Sequence, residues 1–553
     1  MTAMALNDLY WRLQHVTPQK VAYTLGKAWF SGLFYGETLR RRHLGGMLVT
    51  GGGPWPGDAA RGALLLRGPF GFAPEAAAAA EDGEDAGEAA GLRQAALHGF
   101  AWLKDVQAVG GEAARGEARR LVDEWIERHG RWRPFPWRPD ILGQRISSWL
   151  TSAEFLLNGS DDRFRARFID SLLRQTRHLG RVATLAAPGA ERLLILKAQI
   201  HAALCLPPER RRIARCVARL EREVAAQFHP DGGHVSRSPG VHYQALKSLV
   251  EVRLLLNEAQ VEMPAFLTSA LERAAPMLRY FRHGDGGLAL FNDTNEEDGW
   301  LIELVLAKSD VKARPPREAP DSGFMRLAAN RTLVIMDAGA PPRPPLDAHA
   351  HAGTLSFELS CGKERIIVNA GAHAGGVADW AMAQRTTAAH STAAVDDCNS
   401  SYLLGGALIG HRPKVVTAER QESDGNIWVE ASHDGYVRDM GLVHRRRLWL
   451  AANGGDLRGE DTLVGDRQHK FAVRFHLHPS VKVSKVQDGS SILLRTPGGI
   501  GWRMRSAGGV VDIQDGIYLG VKGEAKRTSQ IVISGATQPP STQIKWAFSR
   551  LNG

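Results

Sequence analysis

The stretch DAHAHAGTLSFELSCGKERIIVNAG, residues 347–371, decides the fold. TLSFELS alternates in polarity, CGKE is a turn signal, and ERIIVNAG is β-branched up to Asn369, so the stretch reads as two short antiparallel strands. His349 and His351 stand two apart, just before or within the first strand, where a period of two puts both imidazoles on one face. An imidazole there can act as a general base, an electrophile or a metal ligand.

The same grammar continues downstream. TLVIMDAGA, NIWVEASHDG, HRRRLWLAANGG, KFAVRFHLH, SILLRTPGG and QIVISGA are separated by turn signals such as HDG, NGGD and QDGSS. A dozen or more short strands exceed one small sheet, so a layered β-sandwich is expected over residues 321–553. Upstream, over 95–320, apolar residues recur every three or four positions. Leu193, Leu196, Ile200 and Leu204 make one such stripe, and Val241, Ala245, Leu249 and Val252 another. This predicts an all-helical domain, so the fold class is α+β in more than one domain. Residues 1–73 read as a helix-rich preface. Residues 74–94, containing PEAAAAAEDGEDAGEAAG, read as an acidic, Ala-rich flexible linker.

Composition sets limits on function. The 553 residues are 44% hydrophobic and 23% charged, an ordinary globular balance that excludes a mostly disordered or fibrous chain. The net charge of +10 permits an anionic partner. Basic clusters such as ERRRIARC and HRRR come with no nucleic-acid-binding signature, so no nucleic acid is expected. Four dispersed cysteines without a CxxC pair exclude a disulfide framework or a cysteine zinc site. No apolar stretch is long enough to span a membrane, and the first thirty residues lack a secretory signal, which points to the cytoplasm.

The motifs around residue 350 resemble the heparinase II/III family of polysaccharide lyases. That family has H-x-H-A-D-x-L-S-F-E-L, then a strand ending near D-P-G, then R-x-T-x-A-H-N-T. This chain has HAHAGTLSFEL, IIVNAGA and QRTTAAHSTAAVDD in the same order. DGGHVSRSPGVHYQAL resembles the family's D-G-x-x-x-E-x-S-P-x-Y-H stretch, and LALFNDTNEEDGW its later G-D-x-D turn. The resemblance implies an (α/α) toroid followed by an antiparallel β-sandwich. It also implies β-elimination on a uronic-acid-containing polysaccharide or oligosaccharide, and a periplasmic or envelope location as the alternative to the cytoplasm. A catalytically silent glycan-binding or polysaccharide-assembly protein of the same fold is the other reading.

By the same resemblance, His349 would neutralise the uronate carboxylate or move a proton. Arg385 would orient the carboxylate, and Tyr243 and His242 are the candidates for the family's Tyr-His pair. His351, Asn369 and His390 would hold a divalent metal, zinc or calcium. Arg192, His234 and Arg237 are candidate substrate contacts. The chain departs from the pattern at three places: Gly353 stands where the family has the aspartate of H-x-H-A-D, Asn369 replaces a ligand aspartate, and Val241 occupies the aligned tyrosine position. Glu191 and Arg192 stand where the family places a carboxylate-gripping Asn or Asn-His pair. His476 and His478 share a strand face and read as outward polar residues.

Overall fold

The computed structural model describes residues 3–40, 47, 53–68, 71–72, 86–206, 210–372, 378–405, 408–486 and 491–551. The chain divides into two compact units. One comprises residues 16–227 and 245–271, the other residues 1–15, 228–244 and 272–553.

The first unit is helical, as the 3.6-residue spacing predicts. Asp162–Val182 shows why such segments form helices: the Asp161 carboxylate accepts the Phe164 N–H as an N-cap, and Phe164, Phe168, Leu172, Leu179 and Val182 bury one face. The core also holds Trp125, Trp137 and Trp149, all fully buried. Packing therefore claims these tryptophans and leaves none of the three as a sugar platform. Inside this core Arg145 donates to Gln175 Oε1 and to the His98 and Pro136 carbonyls while lying on the Trp125 ring. Of the expected linker, residues 74–85 lie outside the described residues. From Ala86 onward the chain is helix Ala86–Gly99, not linker, because Ala-rich sequence with few β-branched residues favours helix.

The second unit contains the β-sandwich. One sheet runs Glu318–Ala319, Phe324–Ala329, Thr332–Asp337, Phe357–Cys361, Glu364–Val368, Lys470–Leu477, Lys526–Ala536 and Val510–Tyr518. Ala393–Val395 pairs onto its Lys470–Leu477 strand. The other runs Lys482–Lys485, Ile492–Arg495, Gly501–Ala507, Ser541–Arg550, Asp456–Val464, Leu442–Leu450, Asn426–Tyr436 and Val416–Ser423. Every strand pair in both sheets is antiparallel. Phe357, Leu359, Phe475, Leu448, Trp502, Trp546 and Phe548 fill one continuous apolar core.

A buried polar knot crosses that core. Arg446 pairs with both oxygens of Asp461, at 2.8 and 3.0 Å, and also donates to the Leu355 and Ser391 carbonyls. His444 and the Trp546 indole complete the shell of Asp461. The Arg446 guanidinium and His444 hold the Asp461 carboxyl far below the usual range against the opposing effect of burial. This knot fixes Leu355 and Ser391, which follow the two histidine motifs directly in sequence, so the sandwich core sets the backbone on which those histidines stand.

Candidate active site

The site forms within the second unit, where the turn after Phe291 meets the segment beginning at Asp347. FNDTN turns sharply: Asn292 and Asp293 have φ of 49° and 59°, a left-handed region that Asn and Asp tolerate. The turn is anchored on both sides. Asn292 donates to the Arg237 carbonyl and accepts the His351 N–H. Thr294 Oγ1 accepts the Gly240 N–H at the start of helix Pro239–Glu258.

The structure brings His349, His351, His390 and Arg385 together. His349 Nδ1 lies 2.7 Å from Asp293 Oδ2, with 45% and 37% of the two side chains exposed. A carboxylate on Nδ1 fixes the ring's tautomer and orientation and makes Nε2 the nitrogen that can take or give a proton, the arrangement of a positioned general base. Arg385 donates Nε and Nη2 to the Ala350 carbonyl, between the two histidines, so it positions the HAH segment. His351 is buried, unlike His349. The segment does not form a strand here, so the two imidazoles do not share a strand face. Leu355, at φ 65°, and the bend around Gly353 break the alternation.

The expected metal set does not fit. Asp293 N–H donates to His351 Nε2 at 3.0 Å, His351 Nδ1 faces His390 Nε2 at 3.1 Å, and His390 Nδ1 faces the Thr386 carbonyl at 2.7 Å. The only proton assignment that satisfies all three runs the chain in one direction and occupies all four ring nitrogens. Asn369 is also engaged, its Oδ1 accepting the Ser391 N–H and its amide nitrogen 3.4 Å from Glu358 Oε1. Gly353 explains the change: a Cβ there would lie 2.6 Å from the His390 ring, so the ring fills the space an aspartate would need. Among the described residues no group of three His, Cys, Asp or Glu is placed to hold an ion. Two imidazoles without an anionic third ligand make a weak site. Elemental analysis of protein prepared without chelator is expected to find only substoichiometric metal; one tightly held zinc or calcium ion per chain would contradict the hydrogen-bonded arrangement.

The other predicted residues are committed to the fold. His242 is buried, its Nε2 2.9 Å from the Ala274 carbonyl, and burial pushes its pKa down to about 4, so it is a neutral core histidine and not a catalytic acid. Tyr243 is 3% exposed, and burial with the Glu297 and Asp298 carboxylates pushes its phenol well above the usual value, the wrong direction for a base. His234 is buried beside Ser236, and its pKa is pushed down to about 3, mainly by burial and in part by the His242 and His349 imidazoles. Arg237 donates to four backbone carbonyls and pairs with buried Asp337, so it is a structural clamp and not a substrate contact. Arg192, in the helical unit, pairs with Glu223 at 2.7 Å and donates to the Ala186 carbonyl. His476 is buried with Nε2 on the Ala388 carbonyl, and His478 lies beyond its strand, 3.4 Å from Glu296, so the pair does not share an outward face.

Asp293, the carboxylate paired with His349, was not singled out by the motifs. Its signal was the NDTN string itself, four turn-forming residues after an apolar run, in the segment that resembles the family's G-D-x-D turn.

A helical domain and an antiparallel sandwich carrying a histidine-rich turn cluster define the class of polysaccharide-lyase folds. Family models agree: residues 121–313 match the heparinase II/III N-terminus and residues 311–547 the heparinase II/III-like C-terminal domain. The chain belongs to the heparinase II/III-like family. Heparinase III shares the fold, a helical toroid with a β-sandwich, at a TM-score of 0.68 and 16% identity, over 83% of this chain and 77% of that one. The heparan sulfate lyase HepC from Pedobacter heparinus aligns at a TM-score of 0.59 and 16% identity, over 83% and 76%. FtsZ-localized protein C of Caulobacter vibrioides is 33% identical over 525 residues, 90% of this chain and 89% of its own length. No helix among the described residues is long and apolar enough to cross a membrane.

Proposed function

We propose that this chain binds an acidic, uronate-containing glycan at the His349–Asp293 pair and holds it without cutting it. The observation that carries the reading is the fate of the machinery. Elimination needs a cation or donor at the uronate carboxylate, a base for the C5 proton and an acid for the departing O4. Of the residues expected to supply these, His242, Tyr243, His234, Arg237 and Arg192 are buried or paired within the fold, and His349 stands exposed beside Asp293.

Two further facts favour binding over turnover. The relative FtsZ-localized protein C is named for where it localises and not for a reaction. In the helical unit, Val21, Leu25 and Trp29 stand at four-residue spacing on helix Pro18–Phe30 and are 46%, 71% and 63% exposed, the kind of uncovered apolar stripe that marks an interaction surface.

The second reading, an active lyase acting on the same glycan class, draws support from the His349–Asp293 geometry, since one oriented imidazole can take the C5 proton and return it to O4 on the same face of the sugar. Calorimetric titration of short polyuronate oligosaccharides, with absorbance followed in the band of unsaturated uronides, separates the two. Binding that weakens about tenfold in His349→Ala, with no absorbance rise, is expected. A steady rise that His349→Ala abolishes establishes the lyase instead, and unchanged binding in the variant removes His349 from the site.

A further inference from the structure

The outer face of the sheet containing Asn426–Tyr436 carries a second cluster of chemistry, formed by residues that take no part in the histidine site. Strand register places its side chains in two adjacent rows. Trp428, Trp449, Arg458, Ala547 and Arg505 stand opposite one another across five strands. Two positions along, Glu430, Arg447, Glu460, Lys545 and Ala507 do the same. With neighbouring strands about 4.8 Å apart, each row runs about 19 Å across the sheet.

The rows enclose a trough of about 760 Å³ lined by Trp428, Trp449, Arg447, Arg458, Arg505 and Lys545, among others. Its depth comes from residue size. Ala547 and Ala507 lie between longer side chains, and Gly459 lets the Trp546 indole close the floor from within, since a Cβ there would meet that ring at 2.1 Å. The walls are exposed: Trp428 is 49% exposed, and the Arg458 and Lys545 side chains 66% and 63%. Arg458 lies over the Trp449 ring at 4.9 Å, and Trp428 and Trp449 sit with ring centroids 6.2 Å apart, an aromatic pair bordered by cations.

We propose that this trough is a binding groove for a strand of acidic polysaccharide, remote in sequence from the histidine site and independent of any cleavage there. The tryptophans offer flat apolar faces to the C–H faces of sugar rings. Arg505 supplies a planar fork for a carboxylate, whereas Arg447 and Arg458 are paired with Glu430 and Asp456 and border the groove as parts of ion pairs. Glu460, set between Arg447 and Lys545, and Glu430, at the end of the row beside Arg447, accept hydrogen bonds from hydroxyls. A phosphodiester backbone offers no donors to such acceptors, whereas a uronate polymer carries hydroxyls and carboxylates together, so charge and hydrogen-bonding pattern both favour the glycan.

The inference rests on the reading of the ligand as an acidic glycan, and the test separates it from the histidine site. The full chain is run in gels containing polygalacturonate, alginate or neutral dextran, with Trp449→Ala, Arg505→Glu and His349→Ala alongside. Retardation is expected in the polyuronate gels and not in dextran. It should fall about tenfold in apparent affinity for Trp449→Ala and Arg505→Glu, in the wild-type background and again in the His349→Ala background, where any contribution of the histidine pair is already removed. Arg505 is exposed and Trp449 half-buried on the outer face, and unchanged melting temperatures establish that both variants fold. Retardation equal to wild type in both, absence of retardation by any polyuronate, or loss confined to His349→Ala overturns the groove. So does displacement by single-stranded DNA at lower concentration than by polyuronate of equal charge.

Discussion

Between pH 7 and pH 5 the protein is expected to lose most of its stability and unfold. The cause is a set of histidines that fold neutral. In the helical unit burial pushes His98 and His178 down to about 3 and His201 to about 4; in the other unit it pushes His234 to about 3 and His242 and His476 to about 4. All six are nearly inaccessible to water. Each folded pKa lies below the unfolded value of about 6.5, so the unfolded chain binds protons that the fold refuses. Their stabilisation is fully present above pH 6.5 and is lost as pH falls toward the folded values. At pH 5 each contributes a loss of about 2 kcal/mol, so a few together match the 5–15 kcal/mol that typically holds a domain. Thermal melts across pH 4.5–7.5 test this. A midpoint that drops steeply below pH 6.5 is expected, and a flat profile to pH 4.5 would mean that these imidazoles reach solvent.

Arg237→Ala is expected to cost about 3–5 kcal/mol of stability and to leave glycan affinity of the folded protein unchanged. Arg237 sits at φ 57° in the turn before helix Pro239–Glu258. Its guanidinium donates to the Ser322, Gly323, Gly339 and Ala340 carbonyls, pairs with Asp337 at 2.5 Å and lies 4.9 Å from the Phe324 ring. Gly339 makes room for it, since a Cβ there would lie 2.4 Å from Nη2. Truncation strands a buried carboxylate, whose pKa burial already raises, together with four carbonyls. Denaturant midpoints and calorimetric titration on the same preparation distinguish the roles. A variant as stable as wild type that no longer binds glycan would return Arg237 to the ligand site.

The shift from helical to strand periodicity near residue 320 was legible because it depends only on local spacing, and strands Phe324–Ala329 and Thr332–Asp337 follow it directly. The convergence of His349, His351, His390 and Arg385 was legible because the motifs preserve their order and spacing. Burial was not. Nothing local distinguishes exposed His349 from buried His242, since each depends on what packs against it from distant segments. Partners far apart in sequence were equally hidden. Asp293 reaches His349 across 56 positions, and His15, in the expected preface, bonds Asp347 across 332 at 2.8 Å, which helps place the first fifteen residues with the sandwich unit. The packing of the His390 ring against Gly353 was hidden in the same way, since it depends on a segment almost forty positions away.

Chain length of the glycan tests binding without cutting most directly. Purified protein is incubated for a day with polygalacturonate, alginate and heparan sulfate, and the polymers are then sized by exclusion chromatography with mass analysis of any short products. Polymer that the protein retains and leaves at its original length is the predicted result. Shortened chains ending in unsaturated uronides, each lighter by one water than a hydrolysis product, would contradict it.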